Sequence, residues 1–264
     1  MSLLVRPAAP DTRGVVTDVT PESASWTYVG FRVIRLAAGQ SYSGAEAARE
    51  ACLVILSGKI SVEAGGEFHA DLGGRRDVFD GPATSVYLPA DLPYTVTAET
   101  DVELAVCSAP GTGAGAVRVI RSDAVEVRGS GANTRHVSNI LSDADDIAQS
   151  LLVVEVITPG GNWSSYPPHK HDRDALPKET LLEETYYHRL SPPQGFAFQR
   201  VYTDTLDIDE TMAVQDGDVV MVPRGYHPVG APHGYDLYYL NVMAGPVRKW
   251  VFHNDPAHDW IVRR

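Results

Sequence analysis

The residues best able to do chemistry stand close together at Pro167-Pro168-His169-Lys170-His171-Asp172. Two histidines at i and i+2 on an extended strand point to one face, so both imidazoles can reach a single ion. On a helix the same spacing would turn them about 200° apart. Further along, Leu182-Glu183-Glu184-Thr185-Tyr186-Tyr187-His188 reads as a strand, with Glu184, Tyr186 and His188 on one face and Glu183, Thr185 and Tyr187 on the other. A third imidazole, His227, lies in the tight loop Arg224-Gly225-Tyr226-His227-Pro228, directly after an apolar strand at 219–222. His169, His171, Glu184 and His227 therefore form an expected site for one divalent transition metal (Zn, Mn, Fe, Co or Ni), with positions left open for water or substrate. Thiolates do not enter this set, because Cys52 and Cys107 lie far off in apolar, strand-like runs and read as buried free thiols.

The elements that must position these groups are short strands. Eighteen Pro and 23 Gly punctuate runs rich in Val, Tyr, Thr and Leu, the pattern of an all-β sandwich or barrel. In the first half the runs lie at 26–36, 51–56, 59–62, 85–89 and 102–107; in the second half at 151–158, 184–190, 195–202, 216–223 and 235–243. A Gly, an apolar strand, then Pro and a tight loop recurs at 81–89 and 217–223, which points to two similar barrels in tandem. The Gly- and Ser-rich piece Arg128-Gly129-Ser130-Gly131-Ala132-Asn133 is the expected linker, giving domains 1–127 and 128–264. One helix is expected at 142–150, where Ser142 can cap and acids fill the first turn.

Composition narrows the function class. A net charge of -12 disfavours nucleic acid, whose binding depends on Lys and Arg neutralising phosphates. No run approaches the roughly 18 apolar residues of a membrane span, and the first residues lack a secretory leader pattern, so no membrane role and a cytoplasmic location are expected. A small molecule is the expected partner, and a homo-oligomer is allowed.

The order His-x-His, a later Glu, then Pro-x-Gly-x-His resembles the two motifs of the cupins. Twelve residues separate His171 from Glu184, more than is usual there, and a longer hairpin is the expected way to absorb them. More narrowly, the runs 165–172, 182–188, 199–204, 222–229 and 238–246 resemble the 5-deoxy-glucuronate isomerase family of myo-inositol catabolism. That resemblance implies an all-β fold of two tandem cupin (jelly-roll) β-barrels, a bicupin. It also implies an aldose–ketose isomerase that converts 5-deoxy-glucuronate to 2-deoxy-5-keto-gluconate through an enediolate stabilised by the metal. Such chemistry needs a proton shuttle, for which His188 is the first candidate and Glu183 and Tyr186 are alternatives. The sugar acid's carboxylate needs a cation, and Arg200, Arg224 and Lys170 are the candidate substrate-binding residues. Two other functions fit the same ligands: a metal-dependent dioxygenase and a non-catalytic sugar-binding cupin.

Other features carry less. His69, His136, His233, His253 and His258 read as background. Asp204, Asp207, Asp209 and Glu210 form an acidic loop without EF-hand spacing, so a solvated turn is expected. The first barrel lacks a His-x-His, and Pro93 and Tyr94 stand where His227 does in the second, so no metal is expected there.

Overall fold

The computed structural model describes residues 2–122 and 124–263. The chain divides into two compact units, one of Pro7–Ala124 with Asn139–Val153, the other of Met1–Arg6, Val125–Ser138 and Val154–Arg264. The division is not one cut near residue 127, because each unit takes a short segment from the other half of the chain.

The first unit has two antiparallel sheets. The larger runs in the order Arg118–Arg121, Thr84–Leu88, Arg49–Ser57, Val102–Pro110, Gly30–Leu36, Val15–Val19; the smaller runs Ser41–Gly44, Tyr94–Ala98, Lys59–Ala64, Glu67–Gly73. Inward residues of both sheets, among them Leu53, Ile55 and Leu104 from one and Ile60, Val62 and Val96 from the other, form a mainly aliphatic core that also takes in Tyr42 and Tyr94. Each such side chain contributes about 1.5–3 kcal/mol on burial. Cys52 and Cys107 are opposed in register across neighbouring strands and are buried free thiols, as expected.

The helix expected at 142–150 does not form. The Asp145 carboxylate instead accepts from the backbone N–H of Ser142 at 2.6 Å and of Ile147 at 3.1 Å, making a turn. Past Ala148, the three successive amides of Gln149, Ser150 and Leu151 donate at 2.7–2.8 Å to the fully buried carboxylate of Glu50, which also accepts from Tyr87 Oη at 2.7 Å. Those amides would otherwise need helical carbonyls, so Glu50 supplies a competing partner.

The second unit repeats the two-sheet plan with a different filling. Its larger sheet runs Leu4–Val5, Val219–Val222, Glu183–Ser191, Asp236–Ala244, Leu152–Thr158, Arg135–Leu141, Glu126–Arg128, and its smaller sheet runs Trp163–Ser164, Val229–Gly230, Ala197–Tyr202, Asp209–Val214. Side chains bond across the gap between the sheets, His188 to Gln199 and Tyr239 to Ser164. Where the first unit places Leu, Ile and Val, this one places ionisable and hydroxyl groups.

Candidate active site

Three elements deliver the cluster. The Glu183–Ser191 strand is central, and its register sets Glu184 opposite Met243, Tyr186 opposite Asn241 and His188 opposite Tyr239. Glu184, Tyr186 and His188 thus share the inward face, as alternation predicts. His171 arrives by a hairpin of Asp172–Ala175 and Glu179–Leu181, which absorbs the long interval before Glu184. Leu182 N–H donates to the His171 carbonyl at 2.9 Å where the hairpin closes. His227 comes from the loop after Val219–Val222. Gly225 in that loop has φ +95°, and a Cβ there would stand 2.4 Å from the Tyr202 carbonyl oxygen, so only glycine fits.

His171, Glu184 and His227 converge, with one donor atom from each within 4.8 Å of the others and all three buried. Glu184 Oε2 lies 3.0 Å from His171 Nε2 and 3.3 Å from His227 Nε2. The other ring nitrogens are committed: His171 Nδ1 donates to the Leu182 carbonyl at 3.1 Å and His227 Nδ1 to the Gly225 carbonyl at 2.9 Å. A carbonyl only accepts, so each Nδ1 carries a proton and each Nε2 of a neutral ring turns a lone pair toward the carboxylate. His227 Nε2 is buried without a hydrogen-bond partner. Two lone pairs and a carboxylate facing one another call for a cation, and the donor set fits a divalent transition metal.

Charge behaviour in the metal-free chain follows. Burial resists charging His171, but its bond to Glu184 outweighs this and the pKa is raised, so a proton takes the cation's place there. His227 is pushed down to about 3 by burial, with Glu184 opposing and the other two histidines assisting. His169 is pushed down to about 3 by burial and then by His171 and Arg135. Its ring centroid lies 4.9 Å from that of His227, 6.4 Å from that of His171 and 4.7 Å from Phe252, so it borders the cluster as a fourth imidazole.

The KduI/IolB family matches residues 3–261. The chain belongs to that family. Its curated relatives include the 5-deoxy-glucuronate isomerase of Geobacillus kaustophilus, 57% identical over 99% of this chain and 96% of the relative. Another is the 5-deoxy-glucuronate isomerase of Bacillus subtilis strain 168, 52% identical over 95% of this chain and 93% of the relative. A crystal structure of an IolB-like protein from Salmonella typhimurium LT2 superposes with TM-score 0.95 at 52% identity, covering 99% of this chain and all of that one. The oxalate decarboxylase of Lactobacillus farciminis, at TM-score 0.69 and 14% identity over 100% of this chain and 91% of that one, shows the cupin type of fold alone.

Other expected site residues of this KduI/IolB member divide. His188 is fully buried beside Tyr186 and Tyr239, with centroids 5.9 and 6.2 Å away, and Tyr186 Oη bonds Ser165 Oγ at 2.8 Å. Glu183 points to the opposite face of its strand, away from the cluster. The three expected cations are already committed elsewhere. Arg200 pairs with Asp209 at 2.7 Å, Arg224 with Asp207, and Lys170 with Asp204 at 2.7 Å and Asp172 at 3.0 Å. The acidic loop is thus a set of ion-pair partners rather than a freely solvated turn.

Gln199, Ser164, Ser165 and Arg135 were not singled out from sequence. Gln199 had a signal: it occupies an inward position between Ala197 and Val201, where a polar side chain needs a buried partner.

Proposed function

We propose that this chain is a 5-deoxy-glucuronate isomerase, an aldose–ketose isomerase of the myo-inositol route. The observation that carries the reading is identity of 51–57% over nearly the whole chain with proteins of that name. The buried carboxylate–imidazole cluster supports it chemically. We read each unit as one cupin barrel, the pair forming a bicupin, with the metal in the second and none in the first. A cytoplasmic location and no nucleic-acid partner fit the free thiols and the acidic charge.

His169, His171, Glu184 and His227 are the residues that would hold the ion. Bound there, a divalent ion would supply Lewis acidity to the carbonyl end of the substrate. The chain's own groups move the protons. Gln199 Nε2 points at the His227 carbonyl at 3.4 Å, so its Oε1 is the acceptor for His188 Nε2–H at 2.9 Å. His188 Nδ1 is then an unprotonated base, buried and without a partner. Burial holds its pKa near 4 and so keeps it neutral at working pH. In this reading His188 takes the proton from the hydroxyl-bearing carbon and returns it to the former aldehyde carbon, which becomes a primary alcohol carbon as its neighbour becomes a ketone. Tyr186, held by Ser165, carries the oxygen-bound proton between the adjacent oxygens.

Turnover of 5-deoxy-glucuronate by the purified protein tests the reading, before and after chelation and with metals restored singly. Ketose formation that stops on chelation and returns with metal supports it. Oxygen consumption with an iron-loaded site, and no ketose, would favour a dioxygenase instead.

A further inference from the structure

A cavity of about 300 Å³ adjoins the imidazole cluster in the second unit, at the lower end of the roughly 300–1,000 Å³ usual for small-ligand sites. His169 and Arg135 both line it, together with apolar Phe252, Ile261 and Val262 and polar Ser130 and Asn254. Among the described residues its lining contains no Asp or Glu, although the chain has a net charge of -12. By contrast, a cavity in the first unit mixes Arg32 and Arg49 with Asp18, Glu22 and Glu46.

Arg135 differs from the three cations expected from sequence. Arg200, Arg224 and Lys170 are each neutralised by aspartates. Arg135 makes one hydrogen bond, from Nη1 to the Asn133 carbonyl at 3.2 Å, and among the described residues no carboxylate pairs with it. A guanidinium has five N–H donors, so most remain for an incoming acceptor. Gly129 closes the turn beside it: its φ is +78°, and a Cβ there would stand 2.1 Å from the Asn133 carbonyl oxygen that accepts from Arg135. His169 lines the same cavity, so the guanidinium and an imidazole of the cluster border one space.

We infer that Arg135 is the anchor for the substrate's carboxylate, with Phe252, Ile261 and Val262 receiving the methylene carbon beside it. The inference rests on the isomerase reading. A 5-deoxy uronic acid carries a carboxylate at one end, a carbonyl at the other and one carbon without a hydroxyl next to the carboxylate. The cavity's lining holds a group for each: a guanidinium without a carboxylate partner among the described residues, apolar side chains, and an imidazole of the reacting cluster.

The test compares wild type with Arg135→Gln and Arg135→Lys, each first shown to hold the same metal content and melting temperature. Equilibrium binding of 5-deoxy-glucuronate is measured by calorimetry, and turnover is measured for it and for the neutral analogue with a hydroxymethyl group in place of the carboxylate. Arg135→Gln is expected to weaken binding and raise KM for the acid by about 10- to 100-fold, the loss of a charge-assisted pair, with Arg135→Lys between the two. Neither variant should change handling of the neutral analogue. An Arg135→Gln protein that binds the acid as wild type does overturns the anchor and leaves the isomerase intact. Wild type that binds the acid through Arg135 without forming ketose removes the activity and keeps the anchor, whereas wild type that neither binds nor converts it overturns both.

Discussion

Gln199 Oε1 accepts the Nε2 proton of His188 at 2.9 Å from the facing sheet, while the same amide's Nε2 lies 3.4 Å from the His227 carbonyl. One side chain thereby sets the tautomer of the proposed base and ties it to the backbone of a proposed metal ligand. Replacing Gln199 by Leu keeps the volume and removes the acceptor, so the His188 ring can turn or exchange tautomers. The expected result is a kcat lower by roughly 10- to 100-fold, part of the 10²–10⁴ that a positioned base supplies. KM and metal content should stay close to wild type. Loss of metal with unchanged kcat per bound ion would show that Gln199 serves His227 and not His188.

The histidines make the metal-free chain acid-sensitive. Burial pushes His169 and His227 down to about 3 and His188 to about 4, from an ordinary 6.5. Below pH 6.5 each binds a proton when unfolded but not when folded, so stability falls as pH drops, by about 1.4 kcal/mol per pH unit for each imidazole. His171 has the opposite sign: its raised pKa gives stability that is present below 6.5 and lost as pH rises through the folded value. Below pH 6.5 His171 is protonated in both states, and the other three set the slope. Urea melts of chelated protein at pH 7, 6 and 5 should therefore show a steep decline toward pH 5. A stability that holds or rises over that range would mean these imidazoles are charged in the fold.

Legibility in the sequence followed the range of the interactions. Strand alternation put His169 with His171 and separated Glu184, Tyr186 and His188 from Glu183, because a period of two is a local property, whereas which face turns inward is set by packing. The cations were less legible. Arg200, Arg224 and Lys170 look available until the chain folds and Asp209, Asp207 and Asp204 are brought to them. Arg135 escaped notice because it follows a Gly- and Ser-rich stretch that reads as linker. The segment 142–150 has real helical signals, yet the amides at its end, 149–151, are claimed by Glu50, 99 to 101 positions earlier. No window of local sequence contains that competitor.

Removing one member of the cluster should be read out on the ion itself. Glu184→Gln retains the shape but not the charge that faces His171 and His227, and His227→Ala removes one of the two nitrogens that approach Glu184. Metal affinity is expected to fall by more than about 100-fold in each, beyond the 10–100-fold typical of supporting residues. In wild type, metal at 100 times its Kd should add about 2.7 kcal/mol, or roughly 5–10 °C in melting temperature. Neither variant should show that shift at the same metal concentration. An undiminished shift in either would place the ion elsewhere.

Stability of the first unit has a separate test in Glu50, fully buried, whose carboxylate serves three backbone N–H groups and the Tyr87 hydroxyl. Glu50→Ala strands those donors in the interior, where each unsatisfied group costs about 1–3 kcal/mol. Water entering the space left by the side chain would recover part of this, so a loss of at least about 3 kcal/mol is expected. Glu50→Gln keeps one acceptor oxygen but sets its NH₂ against groups that themselves donate, and it should fall between Ala and wild type. Because the cost arises in hydrogen bonds within one unit, it should be the same with and without metal, unlike the cluster variants. A Glu50→Ala protein as stable as wild type would mean that the 149–151 amides find other acceptors, and the turn at 142–151 would then need a different cause.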